Sequence, residues 1–203
     1  YKGASFINAY RLINSASKEW TSSDRLAQAF SNAESAEEAF KKVKNLKRRF
    51  YAFDSFKGLP ELEGIDKMHP RFVKGRYDCT EKVFKKNLLN ADVNLQDVTI
   101  VPGFYDKTLN DKLKKDIGLN KAAIIMIDCD LYASTKIALD FITDLIDNGT
   151  IIIFDDWYSF KADPNLGEQK ACNEWVEKNK NINLIPYGKY GHNFQMSFIV
   201  NKK

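Results

Sequence analysis

Two hydrophobic rhythms alternate along the chain. Apolar and β-branched runs at residues 50–54, 97–101, 122–128 and 150–154 read as buried strands. Between them the apolar positions fall at helical spacing. Residues 3–17 carry Phe6, Ile7, Tyr10, Ile13 and Ala16 in such a period. Ser23 and Asp24 form an N-cap signal for a second helix with Leu26, Ala29 and Phe30. Ser35 followed by Glu38 resembles a capping box for a helix over 36–47. Thr80 opens a helix to about residue 89, and further helices are predicted over 109–117, 134–146 and 168–178. Asn148 and Gly149 read as a helix C-cap. Residues 61–78 show no period, and 183–185 with 195–200 read as a closing strand pair.

Strands separated by helices predict an α/β fold: one mostly parallel sheet covered on both faces. The last two strands leave no room for a helix between them, so an antiparallel C-terminal edge is expected. No repeat or linker divides the chain, which reads as a single domain over 1–203. The 44% hydrophobic fraction suffices for one core. Lys plus Arg exceed Asp plus Glu by 31 to 27, a charge of +4 that is no argument for a nucleic-acid partner. The one basic run, 41–49, is expected to be a solvated helix face. No apolar run nears the ~20 residues of a membrane helix. Cys79, Cys129 and Cys172 form neither a disulfide framework nor a CxxC pair, so a cytoplasmic location is expected, with no signal peptide.

In an open parallel sheet, ligands bind beyond the carboxyl ends of the strands. The residues just past each predicted strand are therefore the first candidates for chemistry. Asp54 and Ser55 come after the first strand, and Gly103, Phe104 and Tyr105 after the second. Asp128 and Asp130 come after the third, and Asp155 and Asp156 after the fourth. Carboxylates gathered at strand ends are costly unless paired, hydrated or bound to a cation. Their oxygens suit Mg²⁺, Mn²⁺ or Ca²⁺, and the lack of a His or Cys cluster argues against Zn²⁺. Asp54 stands where a carboxylate can accept hydrogen bonds from ribose hydroxyls, or it simply caps a turn. Phe104 and Tyr105 either approach a nucleobase or pack in the core. His192 is the reserve base ahead of His69, and both read first as loop histidines.

These same residues carry a family resemblance. Residues 53–60 read F-D-S-F-K-G-L-P and resemble the D-S-F-x-G-L-P signature of macrocin-type sugar O-methyltransferases. Residues 127–135 (I-D-C-D-L-Y-A-S-T) resemble their D-x-D-x-Y-x-S-T, and 153–157 (I-F-D-D-W) their I-I-D-D-Y, with Trp157 in place of Tyr. Residues 75–79, 101–105 and the Gly167 to Ala171 spacing fit the same pattern in order. The resemblance implies a Rossmann-like, doubly wound methyltransferase fold using S-adenosylmethionine (SAM) and a divalent metal, usually Mg²⁺. By position it implies Gly3, Asp54, Ser55, Gly103, Phe104 and Asp128 for the cofactor. It implies Asp155, Asp156 and Asp130 for the metal, with Asp130 or Asp128 as the base. Asp128 stands where catechol-type relatives place their ligand, and the sequence does not separate the two, while His192 stays the reserve base. The family's first strand and glycine loop, E-x-G-x-x-x-G-x-S, meet only residues 1–5 here, with Gly3 as the last glycine. The first strand is therefore expected to be missing from the chain as given.

The reaction so implied is methylation of a hydroxyl on a sugar or a sugar-bearing product. The expected partner is a small-molecule sugar, with no nucleic acid and no membrane, and a homodimer as family members commonly form. The rivals are a methyltransferase for a catechol-like diol and a metal- or nucleotide-binding module without catalysis.

Overall fold

The computed structural model describes residues 49–188 and 195–203, together with the backbone of Ile7–Asn8. The helices predicted over 23–30 and 36–47 lie outside the described residues, as does most of that over 3–17. A seven-stranded sheet organises the rest. Its strands are β1 (Ile7–Asn8), β2 (Phe50–Asp54), β3 (Val98–Pro102), β4 (Ile124–Ile127), β5 (Ile151–Phe154), β6 (Ile182–Gly188) and β7 (Met196–Lys202), in the spatial order β3-β2-β1-β4-β5-β7-β6. The β2–β3 and β4–β5 pairs are parallel, and β1 runs antiparallel to both β2 and β4. The C-terminal hairpin supplies the antiparallel edge: β7 is reversed against β5, and β6 lies outermost.

At Ile7–Asn8 the predicted helix gives way to strand, Asn8 pairing with Ala52 on one side and Met126 on the other. The sheet explains this. Between β2 and β4, both neighbours present rows of backbone N–H and C=O groups, and pairing them outranks a local helical period.

The helices are α1 (Glu81–Asn90), α2 (Tyr105–Thr108), α3 (Asp111–Asp116), α4 (Tyr132–Ile142) and α5 (Gly167–Lys178). Thr80 caps α1 by accepting the Val83 N–H at 3.3 Å. The helix predicted over 109–117 is α3, trimmed to Asp111–Asp116, with Asn110 capping it by accepting the Leu113 N–H at 2.9 Å; the short α2 before it was not predicted. Helix α4 starts earlier and stops sooner than predicted, and Gly149, at φ 85°, serves the turn into β5 rather than a helix end. Among the described residues no helix is long and apolar enough to cross a membrane.

Alternation along the strands divides the core. Tyr51, Phe53, Ile125, Ile127, Ile152 and Phe154 pack beneath α4 and α5 with Leu139, Ile142, Ala171 and Trp175. Phe50, Ala52, Ile124, Ile151 and Ile153 face the other way, onto Phe84 and Leu88 of α1. A third cluster, Leu59, Phe72, Leu131 and Phe160, joins loops rather than sheet faces.

Candidate active site

Strands β2 to β5 all run the same way, so their carboxyl ends share one edge of the sheet. Asp54 ends β2 and is buried. Its Oδ1 accepts the Phe56 N–H at 2.5 Å, and its own carbonyl accepts the Gly103 N–H from the end of β3 at 2.8 Å. Burial pushes the Asp54 carboxyl up to about 7, against the pull of that one N–H. The Ser55 hydroxyl is committed to its own turn, donating to the Gly58 carbonyl at 2.9 Å. Gly103 sits at φ 138°, and a Cβ there would meet Thr108 Cγ2 at 2.5 Å. Phe104 next to it is half-buried, and Tyr105 is a core residue whose hydroxyl donates to the Phe53 carbonyl at 3.2 Å.

At the ends of β4 and β5, carboxyl oxygens of Asp128, Asp155 and Asp156 all lie within 4.8 Å of one another. Burial, then the facing charges of Asp155, Asp156, Asp130 and Glu168, push the Asp128 carboxyl well up. Asp130 stands outside the trio. It is buried at φ 61°, and the Leu131 N–H reaches back to the Cys129 carbonyl at 2.5 Å, closing a γ-turn on it. A non-glycine residue at such a φ is a strained position of the kind found at sites.

The chain grips the acid pair of β5 from several sides. Asp155 donates its N–H to the Ile127 carbonyl at 2.9 Å, and Gln195 Nε2 donates to Asp155 Oδ1 at 3.2 Å. The Asp156 N–H donates to Glu168 Oε2 at 3.0 Å, and the Ser159 hydroxyl donates to Asp156 Oδ1. Glu168, 1% exposed at the start of α5, has its carboxyl pushed well up by burial and by Asp156 and Asp155. Trp157 leaves the site to pack on Phe154 and Phe198, with ring centroids 4.9 Å away in each case.

The irregular segment 61–78 covers this edge. Asp66, 1% exposed, accepts the N–H groups of Tyr132 at 2.7 Å and Ala133 at 3.1 Å, capping α4 from afar. His69 is buried rather than a surface histidine: its ring stacks on Phe72 at 3.9 Å and meets Phe160 edge-on at 4.9 Å. Burial and the nearby Arg71 lower its pKa, which favours the neutral ring.

The structure thus brings Asp128, Asp155 and Asp156 together and sets Asp130 beside them, with Asp54, Gly103 and Phe104 on the same edge. Gly3 and His192 lie outside the described residues. Glu168, Gln195, Ser159 and Asp66 carry no signal that sequence reasoning could pick out. Glu168 looks there like an ordinary first-turn acid, and the partners of the others are not adjacent in the chain. The donor set fits a hard divalent cation: three carboxylates at mutual repulsion distance, with no His or Cys among them.

A Rossmann-like sheet with acids at the tips of β2, β4 and β5 defines a class, the α/β folds of methyltransferase type. Two solved structures share that fold. The O-methyltransferase NovP superposes with a TM-score of 0.63 at 21% identity, over 80% of this chain and 64% of NovP. CalS11, a calicheamicin methyltransferase, gives a TM-score of 0.60 at 19% identity, over 89% of this chain and 78% of that one. The chain thus spans just under two thirds of NovP's length. No curated protein matches its sequence. The macrocin-O-methyltransferase (TylF) family model matches residues 36–184, and the chain belongs to that family.

Proposed function

We propose that the chain is a SAM-dependent O-methyltransferase that methylates a hydroxyl of a sugar or sugar-bearing natural product, assisted by Mg²⁺ or another hard divalent cation. The observation that carries this reading is the convergence of Asp128, Asp155 and Asp156 on the sheet edge that bears Asp54, in a member of the macrocin-O-methyltransferase family.

SAM supplies an electrophilic methyl group, and a bound cation supplies Lewis acidity that lowers a hydroxyl pKa and orients a diol. The chain's residues do the rest. Asp54 accepts the ribose hydroxyls at the tip of β2, while Gly103 and Phe104 line the adjoining wall and Ser55 holds the turn. Asp128, Asp155 and Asp156 hold the cation. The metal role expected of Asp130 passes to Asp128 in this reading, because Asp128 is the acid grouped with the pair. Asp130, beside the trio, would accept the proton of the hydroxyl being methylated. Positioning of oxygen against methyl supplies the remaining acceleration. The same reading makes the partner a small-molecule sugar, the compartment the cytoplasm and the assembly a homodimer, the last checked by analytical ultracentrifugation.

The test is calorimetry of SAM with and without Mg²⁺, followed by transfer of a labelled methyl group to a panel of sugars, glycosides and catechols. Wild type is expected to bind SAM and label a sugar diol only with metal. The Asp155→Ala/Asp156→Ala variant is expected to keep SAM binding and lose at least ~10²-fold in turnover. SAM binding without turnover on any diol would sink the enzyme reading, and labelling of catechols alone would sink the sugar.

A further inference from the structure

Among the described residues two buried side-chain polar atoms lack a hydrogen-bond partner, Glu168 Oε1 and Gln195 Oε1. Buried polar atoms are nearly always partnered, so each exception asks for a cause. These two share a setting. Each belongs to a side chain whose other end holds the acid pair: Glu168 Oε2 takes the Asp156 N–H, and Gln195 Nε2 donates to Asp155 Oδ1. They come from different elements, the first turn of α5 and the residue before β7, so one local distortion does not account for both. Both are oxygens, and both stand beside a group made only of carboxylates. Among the described residues, what this place lacks is hydrogen-bond donors. Because the Gln195 donor end is taken by a carboxylate, its free end must be the acceptor.

A small hard cation held by few carboxylates keeps several waters, and those waters are donors. We infer that Glu168 and Gln195 are positioning residues of the cation site: each fixes one aspartate of the pair and accepts a hydrogen from water carried on the ion. The inference rests on the cation reading of the proposed function and extends it to residues that do not ligate. Groups standing behind the ligands set metal affinity by about 10- to 100-fold in comparable sites.

The test is Mn²⁺ titration of the full chain, read by the electron paramagnetic resonance signal of free Mn²⁺. SAM affinity and melting temperature are measured in parallel. Glu168→Gln is the key variant. It keeps an oxygen for the Asp156 N–H but puts an amide nitrogen where the free oxygen stands. Gln195→Leu removes the second pair of groups without changing charge. Each is expected to weaken Mn²⁺ binding by about 10-fold or more. SAM affinity should stay within about twofold and the melting temperature within a few degrees, which a merely structural role would not reproduce. A variant that holds Mn²⁺ as tightly as wild type, or that loses SAM affinity in equal measure, overturns the assignment for that residue. A wild-type chain that takes up no Mn²⁺ overturns both this inference and the cation reading beneath it.

Discussion

Asp54 meets two conflicting demands at the tip of β2. To accept ribose hydroxyls it must be ionised, yet burial has moved its carboxyl from the usual 3.8 up to about 7. Between those values the folded chain holds a proton that the unfolded chain has released. Stability from this group is therefore fully present below about pH 4, falls as pH rises toward 7, and is flat beyond. The ceiling on that loss is about 4 kcal/mol, taking 1.36 kcal/mol for each unit. Asp54→Asn removes the charge and keeps an oxygen for the Phe56 N–H. Thermal melts at pH 8 are expected to show the variant more stable than wild type by about 1–3 kcal/mol, with the gain gone near pH 4. Its SAM affinity should fall by about tenfold or more and lose its pH dependence. Wild-type affinity should climb between pH 6 and 8. A variant that is less stable at pH 8 would show that the carboxylate is a net stabiliser there.

Helix α4 illustrates how an element can be read in the sequence while its support is hidden. Its own N-cap, Leu131, offers no side-chain acceptor, and Asp66 fills that role from the turn at Gly64–Met68. Because α4 begins just after Asp128 and Asp130, the same cap anchors the site loop. Asp66→Ala leaves two part-buried N–H groups of the first turn without that cap and is expected to cost about 0.5–2 kcal/mol in denaturant unfolding. Asp66→Asn, which keeps one acceptor oxygen, should recover part of it. The strands β4 and β5 were legible because unbroken Ile-rich runs ending in acid have few other uses. The strand-tip aspartates were legible for the same reason: position on a parallel sheet implies position at its ligand edge. Asp66, Glu168 and Gln195 were not, since each acts through a group that only folding brings near. Asp66 lies 66 residues from Tyr132, and Gln195 lies 40 from Asp155. That Asp128 rather than Asp130 groups with Asp155 and Asp156 was equally out of reach, because spacing does not show the γ-turn at Asp130. Residues 7 and 8 failed for the opposite reason: a clear local period yielded to the pairing needs of β2 and β4.

At the scale of the whole molecule, the sheet and its helices form two cores that would stand without the site, while the site's cover depends on a separate cluster. Leu59 after β2, Phe72 of the irregular segment, Leu131 after β4 and Phe160 after β5 meet there, with His69 stacked on Phe72 and edge-on to Phe160. Gly167, at φ 53°, lets the start of α5 approach closely: a Cβ there would meet Phe160 Cδ2 at 2.5 Å. This cluster, together with the hydrogen bonds from the Tyr132 and Ala133 N–H groups to Asp66, ties three site loops into one unit. Such units open as a body, at a free energy below that of global unfolding. Phe72→Ala removes the ring that touches His69, Tyr77 and Phe160. Truncating a buried phenylalanine costs about 3–5 kcal/mol where it is felt. Here the loss is expected to fall on the cover. Amide hydrogen exchange should accelerate together over 59–78 and 157–166, while amides of β4 and β5 stay protected and the global melting temperature drops by only a few degrees. Faster exchange confined to 61–78 would show that the loop after β5 is held independently. Equal acceleration through β4 and β5 would show that the third cluster is part of the main core. Because residues 155–159 carry the acid pair and its serine, coupled opening also implies weaker cation binding in Phe72→Ala, although Phe72 is no member of the carboxylate trio.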